Sequence, residues 1–377
     1  MSETKLDAST YLAASRFLYE GGLNPREWTN LTVVAEALAR GFDLSVDSQR
    51  SRIIIMVDGK RHWWKSGLTS LNSSLLMRIT KNKDVASKLL RAQGHPAVEN
   101  AAFQKGEADQ AWAWSRGLGE LVIKPSDGTW GAGVHVGITS RRQFDQAFNE
   151  VAACNQAVLV ERRGTGQEYR FVVVAGKVVA VTEMRPANVV GDGRSKISQL
   201  IKAKNADRSK TPIHRNLILG RRENELLEQR GFGPKSVPEA DEVVYLRQTT
   251  NLQTMGEAVD ATDVVSAMHK TTIERAAAAL PGGRLLGFDV LIDGSRPDSV
   301  QILEVNSGPM ISIQHLPLLG KPRDVAGAVL NTMFSAHAGP VRTPDELQIP
   351  TAEILETFRP AWPRARRIAR KVKNVLN

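Results

Sequence analysis

The chain has 377 residues and a formal net charge of +10, which at about 150 residues per domain points to two or three structural units. No run approaches the ~18 uninterrupted apolar residues of a membrane span, and the start MSETKLDAST lacks the basic-then-apolar pattern of a secretory signal. One cysteine, Cys154, excludes an internal disulfide and a cysteine zinc cluster, and fits a small apolar residue of a protein in reducing cytoplasm.

Residues 1–80 read as a small mixed unit that packs on the remainder of the chain. Leu12, Ala13, Phe17 and Leu18 fit a short amphipathic helix ended by Gly21-Gly22. Leu31 to Leu38 is a second helical run, closed by Gly41. Ile53 to Val57, the turn Asp58-Gly59 and Arg61-His62-Trp63 read as a hairpin.

From residue 81 helix and strand alternate. A helix over Asp84 to Ala92 stops at Gly94 and Pro96. Leu121 to Ile123 is a strand, followed by a glycine-rich turn and a second strand over Val134 to Ile138. Ser140 caps a helix running to Ala153, and Ala157 to Val160 is a buried strand. Tyr169 to Val174 and Val178 to Thr182 form a hairpin at Gly176-Lys177. Residues 185–240 are polar, with a helical stretch near Ile197 to Ala203. Val264 to Leu280 is a helix ending at Pro281-Gly282-Gly283. Leu285 to Ile292 and Gln301 to Val305 are strands, and Pro322 to Phe334 is a helix. Residues 336–350 are linker-like. The tail from Arg359 to Asn377 carries seven basic residues and no acidic one, with a stripe of Ala365, Ile368, Ala369, Val372 and Leu376 that reads as a terminal helix. Much of the positive surplus sits in this tail. With few aromatics and no RNA-binding motif, the charge does not imply a nucleic-acid partner. The order of elements is α+β with several hairpins, unlike the βαβ series of a dinucleotide-binding fold.

Two constellations carry chemistry. In the first, a strand ends at Lys124 and the stretch Pro125 to Gly133 leads into another strand, with Gly128, Gly131 and Gly133 able to bring backbone N–H groups to phosphate oxygens. It is neither a P-loop nor a dinucleotide fingerprint, since no Lys-Ser or Lys-Thr follows the glycines and a strand takes the place of a helix. In the second, Glu304 and Asn306 share a strand face, and a neighbouring strand can place Asp289 beside them. Three oxygen ligands on one sheet face suit Mg²⁺ held jointly with nucleotide phosphates.

These segments, in order, resemble the ATP-grasp superfamily, most closely the ATP-grasp part of cyanophycin synthetases and more distantly glutathione-synthetase-like ligases. The resemblance spans residues 65–335. It runs through Asn82-Lys83-Asp84, Ile123-Lys124-Pro125 with Gly131-Ala132-Gly133, Val160-Glu161-Arg162, Glu168-Tyr169-Arg170, Gly191-Asp192-Gly193-Arg194-Ser195, Thr250-Asn251-Leu252, Asp260-Ala261-Thr262-Asp263, Gly287-Phe288-Asp289, Leu303-Glu304-Val305-Asn306 and His315-Leu316 with Arg323. It implies an α+β ATP-grasp fold, two subdomains clasping ATP (81–165 and 166–335), preceded by a domain over 1–80 and followed by a linker and basic helix over 336–377. Cyanophycin synthetases carry a further C-terminal ligase domain for which 377 residues leave no room.

The resemblance also implies roles. Lys83 and Lys124 would hold the ATP phosphates, and Gly128 to Gly133 would fold over them. Glu161 would lie beside the adenine, and Glu168 would accept the ribose hydroxyls. Asp289, Glu304 and Asn306 would hold two Mg²⁺, with Mn²⁺ as a substitute. Arg170, Arg185, Arg194, Arg247 and Arg323 are candidates for contact with substrate carboxylate or acyl phosphate, with Arg194, Arg247 and His315 placed beside Lys124 as catalytic candidates. The implied activity is an ATP-dependent carboxylate–amine ligation through an acyl phosphate, with amino acids or a short peptide as substrates; a homo-oligomer is compatible with it. A kinase that stops at the phosphorylated product and a nucleotide-binding module without turnover remain alternatives. The chain departs from the family at Gly308-Pro309-Met310 and at Met255-Gly256, where paired glycines are usual.

Overall fold

The computed structural model describes residues 6–126, 133–154, 157–296 and 299–358. Gly128, Gly131 and the basic terminal stripe therefore lie outside the described residues.

The chain begins with α1 (Ala8–Glu20), whose N-cap Asp7 accepts from the Thr10 N–H, and α2 (Trp28–Ala39). A four-stranded antiparallel meander comes next: β1 (Asp43–Asp47), β2 (Arg52–Val57), β3 (Lys60–Lys65) and β4 (Leu68–Thr69). Asp58 and Gly59 both have positive φ, as a two-residue hairpin turn between twisted strands requires.

After α3 (Ser74–Lys81) and α4 (Lys83–Ala92), a small antiparallel sheet forms from β5 (Asn100–Gln104), β6 (Leu121–Pro125), β7 (His135–Ile138) and β8 (Ala157–Arg162), in the order β5-β8-β6-β7. Helices α5 (Ala108–Ser115) and α6 (Arg141–Cys154) cover one face through Ala111, Phe144 and Phe148, which pack on Ile123 and Val160. Alternation sends Val122, Lys124, Leu159 and Glu161 to the other face.

The main sheet is five-stranded and antiparallel. Its strands are β9 (Gln167–Val174), β10 (Lys177–Arg185), β13 (Glu257–Asp260), β14 (Leu285–Ile292) and β15 (Gln301–Asn306), ordered β13-β10-β9-β14-β15. Between β10 and β13 the chain makes β11 (Asn188–Val190), α7 (Ile197–Arg208), α8 (Arg221–Glu228) and β12 (Val243–Tyr245), a satellite with its own small core. Helix α9 (Ala267–Ala278) precedes β14. It begins three residues later than its apolar pattern suggests, because Ser266 caps it by accepting from the His269 N–H. The chain closes with α10 (Ser312–His315), α11 (Val325–Met333) and α12 (Thr351–Thr357). Asp324 caps α11, leaving Pro322 outside the helix.

The main sheet is apolar on both faces. Phe171, Val173, Leu286, Phe288 and Val290 pack with Leu76, Leu90 and Ile273 of α3, α4 and α9. Val172, Val174, Ala180 and Met184 pack on the opposite side with α1, α2, α11 and α12. Residues 6–64 thus share one core with the sheet. Residues 347–358 belong to it as well: Leu347 and Ile354 are fully buried. The stretch 336–350 is held down as well as irregular. Buried Glu36 of α2 accepts from Arg40 Nε at 2.7 Å and from Arg342 Nε at 3.2 Å. Burial, and then Asp324, push the Glu36 carboxyl up, and the two guanidiniums pull it back. Among the described residues, no helix is long and apolar enough to cross a membrane.

If the last described helix completes this core, Ile354→Ala should destabilise the protein by about 2–5 kcal/mol, the range for a large-to-small core change. Urea unfolding of the two proteins measures it; a shift below about 0.5 kcal/mol, typical of surface positions, would place α12 outside the core.

Candidate nucleotide and acyl-transfer site

Pairing in the main sheet sets one row of side chains straight across it. Asp260 of β13 is opposite Thr182 of β10, which is opposite Arg170 of β9, then Asp289 of β14, then Glu304 of β15. Directly opposed residues share a face, so all five side chains project from the same side. Glu304 reaches it through a bulge: Asp289 pairs with Glu304 but Val290 with Ile302, leaving Leu303 unmatched. The extra residue lets Ile302 and Val305, three apart, enter the same core while Glu304 and Asn306 face the row. Asn306 is opposite Gly287, where a Cβ would come within 2.9 Å of Pro309. The Gly308-Pro309 turn therefore lies directly on the sheet.

The row is bound along its length. Arg170 donates from Nε to Asp289 Oδ1 at 2.6 Å and from Nη2 to Oδ2 at 2.9 Å. Lys83, first residue of α4, comes within 3.4 Å of Glu304 Oε2. At the other end Arg323 takes both oxygens of Asp260, at 3.0 and 2.6 Å, and also contacts Asp263. The small sheet faces this row with Lys124, whose Nζ donates to Glu161 Oε1 at 3.0 Å. Asn100 fixes Glu161 by donating to it and to Ser87 Oγ.

Glu168 lies two residues along β9 from Arg170, on the same face. Burial and the nearby Asp289 push its carboxyl up, while the Thr250 hydroxyl, Arg170 and Lys124 oppose that. Glu304 is likewise pushed up by burial and by Asp289, with Lys83, Lys124 and Arg170 acting the other way. Lys124 of the small sheet is near enough to act on both glutamates of the main sheet, so the two sheets face one another across one cleft. Thr250 Oγ1 donates to Glu168 Oε2 at 2.6 Å. The loop presenting it is tightly wound: a Cβ on Gly256 would sit 2.0 Å from the Thr250 carbonyl oxygen. Met255 beside it takes a left-handed φ of 68°, the conformation a glycine pair would adopt freely. Met255 is nevertheless retained in the satellite core, with its sulfur accepting from the Ile218 N–H.

Lys83, Lys124, Glu161, Glu168, Arg170, Asp289 and Glu304 are thus brought together, with Asn306 on the same face and Arg323 joined to the row's far end. Gly133 lies against Pro125 at the end of the first strand, its φ of 70° positive. The remaining candidates go elsewhere. Arg185 projects from the opposite sheet face and pairs with Glu183 at 2.7 Å. Arg247 pairs with Glu223 of α8, and Arg194 is exposed beyond β11. His315 is buried with its Nε2 accepting from the Ala326 N–H of α11 at 3.1 Å. Thr182, Thr250 and Gln314 are polar residues at the cleft whose roles the motifs do not signal; only strand register and loop closure reveal them.

Among the described residues, no group of three or more His, Cys, Asp or Glu is close enough to hold a metal by itself. The donor set fits a divalent cation held jointly with phosphate. Asp289, Glu304 and Asn306 offer oxygen only, each carboxylate oxygen can accept more than one contact, and two glutamates pushed up by burial and a neighbouring carboxylate gain from added positive charge.

Two antiparallel sheets facing one another across a lysine- and carboxylate-lined cleft make the architecture that of the ATP-grasp fold. The chain is related to cyanophycin synthetase from Trichormus variabilis, with 33% identity over 312 residues. That match covers 80% of this chain and 34% of the relative. It is also related to a glutathione biosynthesis bifunctional protein from Clostridium perfringens, 28% identical over 83% of this chain and 42% of the relative. The crystal structure of a bifunctional glutathione synthetase from Pasteurella multocida superposes with a TM-score of 0.63 and 27% identity, covering 81% of this chain and 44% of that one. The chain thus spans a third to under half the length of these relatives. No protein-family model matches it.

His315 gives a pH-dependent prediction. Burial drives its imidazole down to about 4, and that of His214, whose Nε2 accepts from the Ala258 N–H, to about 3. The ordinary value is 6.5, so between these values the unfolded chain binds more protons and stability falls as pH drops below 6.5. In His315→Gln, whose amide oxygen can still accept from Ala326, the fall between pH 6.5 and about 4 should lose about one proton's worth of slope, read from urea midpoints against pH. An unchanged slope would show that His315 is not a buried neutral ring.

Proposed function

We propose that this chain is an ATP-dependent carboxylate–amine ligase that forms a peptide or amide bond through an acyl phosphate, with amino acids or a short peptide as substrates. The observation that carries the reading is the single row Asp289–Glu304, flanked by Arg170 and faced by Lys83 and Lys124, at the bottom of one cleft. A carboxylate is a poor electrophile. Taking the γ-phosphoryl group of ATP gives it a leaving group, after which the amine attacks the acyl carbon and inorganic phosphate departs. Phosphoryl transfer asks the protein mainly for positioning and charge neutralisation.

Lys83 and Lys124 supply that neutralisation from opposite walls of the cleft. Both rest on carboxylates, Lys83 on Glu304 and Lys124 on Glu161. Arg170 stands next to Asp289 on the side away from Glu304, where its guanidinium can meet an oxygen of the reacting acid. Glu168 accepts from one hydroxyl already, and a ribose hydroxyl would take that place. Asp289, Glu304 and Asn306 are the residues to hold Mg²⁺, two ions in this reading, which would bind phosphate oxygens and withdraw charge from them. His315, tied to α11, acts by holding α10 in place. A loop covering the cleft would keep water from the acyl phosphate.

The similarity to cyanophycin synthetase and to proteins of glutathione biosynthesis supports amino-acid substrates. ADP release measured over the amino acids singly and in pairs, with mass spectrometry of products, tests the reading directly. Release that needs both an acid and an amine is expected; release with one substrate and a stable phosphorylated product would make the protein a kinase. Glu304→Gln should abolish turnover with the melting temperature little changed. Full activity in that variant would contradict the metal assignment. Lys124→Met should weaken ATP binding by roughly 10- to 100-fold, the effect of losing a hydrogen bond to a charged group worth about 1.5–3 kcal/mol, as measured by fluorescent-nucleotide titration.

A further inference from the structure

The front meander has one face that the core does not use. Ile53, Ile55 and Trp64 point into the core, so alternation sends Ile54, Met56 and Trp63 to the outer side. Met56 is 41% exposed, and Leu68 at the end of that face 38%. Register arranges the outward residues in rows. Asp43 is opposite Met56, which is opposite Arg61. Ser45 is opposite Ile54, which is opposite Trp63. Asp47 is opposite Arg52, and Lys65 follows Trp64 on the far side of Arg52. The outer face therefore has acids on β1, Ile54 and Met56 along β2, and bases on β3. Arg52 is folded over Trp63, its guanidinium carbon 4.1 Å from the ring centroid. Asp47 lies 3.5 Å from Arg50, and Lys65 donates to the Arg50 carbonyl. Asp43 and Arg61 are exposed, and among the described residues neither has an ion-pair partner.

A face divided in this way is complementary to itself. A two-fold axis parallel to the strands and passing over β2 lays β1 of one copy on β3 of the other at the same height. Asp43 then lies over Arg61, and Asp47 over Lys65, each twice. Ile54 and Met56 meet their own counterparts on the axis. A two-fold perpendicular to the strands would instead set Asp43 over Asp47, like on like. An acidic partner would suit β3 and repel β1, and a basic one the reverse; a second copy suits both. We propose that this face joins two copies of the chain in an isologous dimer with β2 on the axis, in the aligned packing of two sheets. The contact abuts the cleft. A Cβ on Gly308 would come within 2.8 Å of Leu68 Cδ2, so the dimer braces the turn after Asn306. This inference is independent of the ligase reading.

Sedimentation equilibrium of the whole chain tests it, at concentrations up to ~100 μM, above the micromolar Kd of the weaker standard interfaces. Wild type should dimerise. Asp43→Arg and Arg61→Asp each set like charges together twice, and each should raise the dimer Kd roughly ten-fold or more. The double variant exchanges the signs and should return Kd to within about three-fold of wild type. Met56→Cys in a Cys154→Ser background places two thiols at the axis, where a short bis-maleimide should couple the copies, sheets packing about 10 Å apart. That coupling keeps the test available if a charge variant does not fold. A wild-type monomer throughout, a dimer indifferent to both reversals, a double variant no better than the single ones, or no coupling at position 56 would overturn the proposal. A monomer that dimerises only after removal of residues 359–377 would overturn it too, and would assign the face to the basic tail.

Discussion

Arg170 and Asp289 hold each other across adjacent strands, within a polar row on a sheet whose two faces also carry apolar cores, and the cleft is organised around that pair. A carboxylate in such surroundings is costly unless a cation and hydrogen bonds meet it. Here three of the five strands bring acids into one line, and each acid of that line has a cation beside it: Arg323 for Asp260, Arg170 for Asp289, Lys83 for Glu304. Glu161, across the cleft, has Lys124. Among the described residues Glu168 has only the Thr250 hydroxyl as a direct hydrogen-bond donor to its carboxylate, and it is pushed up by burial and by Asp289. Acids and cations are matched along the row, and Glu168 beside it has no ion-pair partner among the described residues; the cations arriving with a triphosphate would offset that charge.

The rest of the fold serves to keep that line straight. Two cores clamp the main sheet, one built with α3, α4 and α9, the other with residues 6–64 and α10 to α12. The front meander also reaches the site: a Cβ on Gly67 would lie 2.3 Å from the Pro309 carbonyl oxygen, so the β3–β4 turn presses on the loop after Asn306. Thr29 of α2 bonds to Ser312 of α10, and Asn72 bridges the Leu285 and Ser307 carbonyls. Residues from the front of the chain thus brace α10 and the turn after Asn306 against the sheet.

Local patterns make much of this legible in sequence. The β2–β3 turn, the β9–β10 hairpin at Gly176 and the strands carrying Asp289 and Glu304 stand out because alternation and turn chemistry act over a few residues. Strand β5, Asn100–Gln104, has neither alternation nor β-branched residues, and α3 and α12 are short; each is stabilised by what packs on it. The row itself is readable only in part. That Glu304 and Asn306 share a face comes from their spacing, but Thr182 opposite Arg170 depends on a register shift between Val178 and Ala180 in the hairpin, and Asp260 opposite Thr182 on pairing across the long excursion between β10 and β13. Arginines are the hardest residues to sort. Arg170 and Arg185 lie in one hairpin with similar neighbours, and strand parity alone puts the first in the cleft and the second behind it. His315 looks catalytic by its place after the strand of Glu304 and Asn306, whereas its Nε2 accepts from the Ala326 N–H of α11.

The central claim is that Asp289, Glu304 and the two lysines form one site for an adenine nucleotide and divalent cations together. Calorimetric titration of the whole chain with a non-hydrolysable ATP analogue, with and without Mg²⁺, tests it most directly. Saturable binding at one site per chain that tightens strongly with Mg²⁺ is the predicted result. No binding, or binding indifferent to the cation, would contradict it.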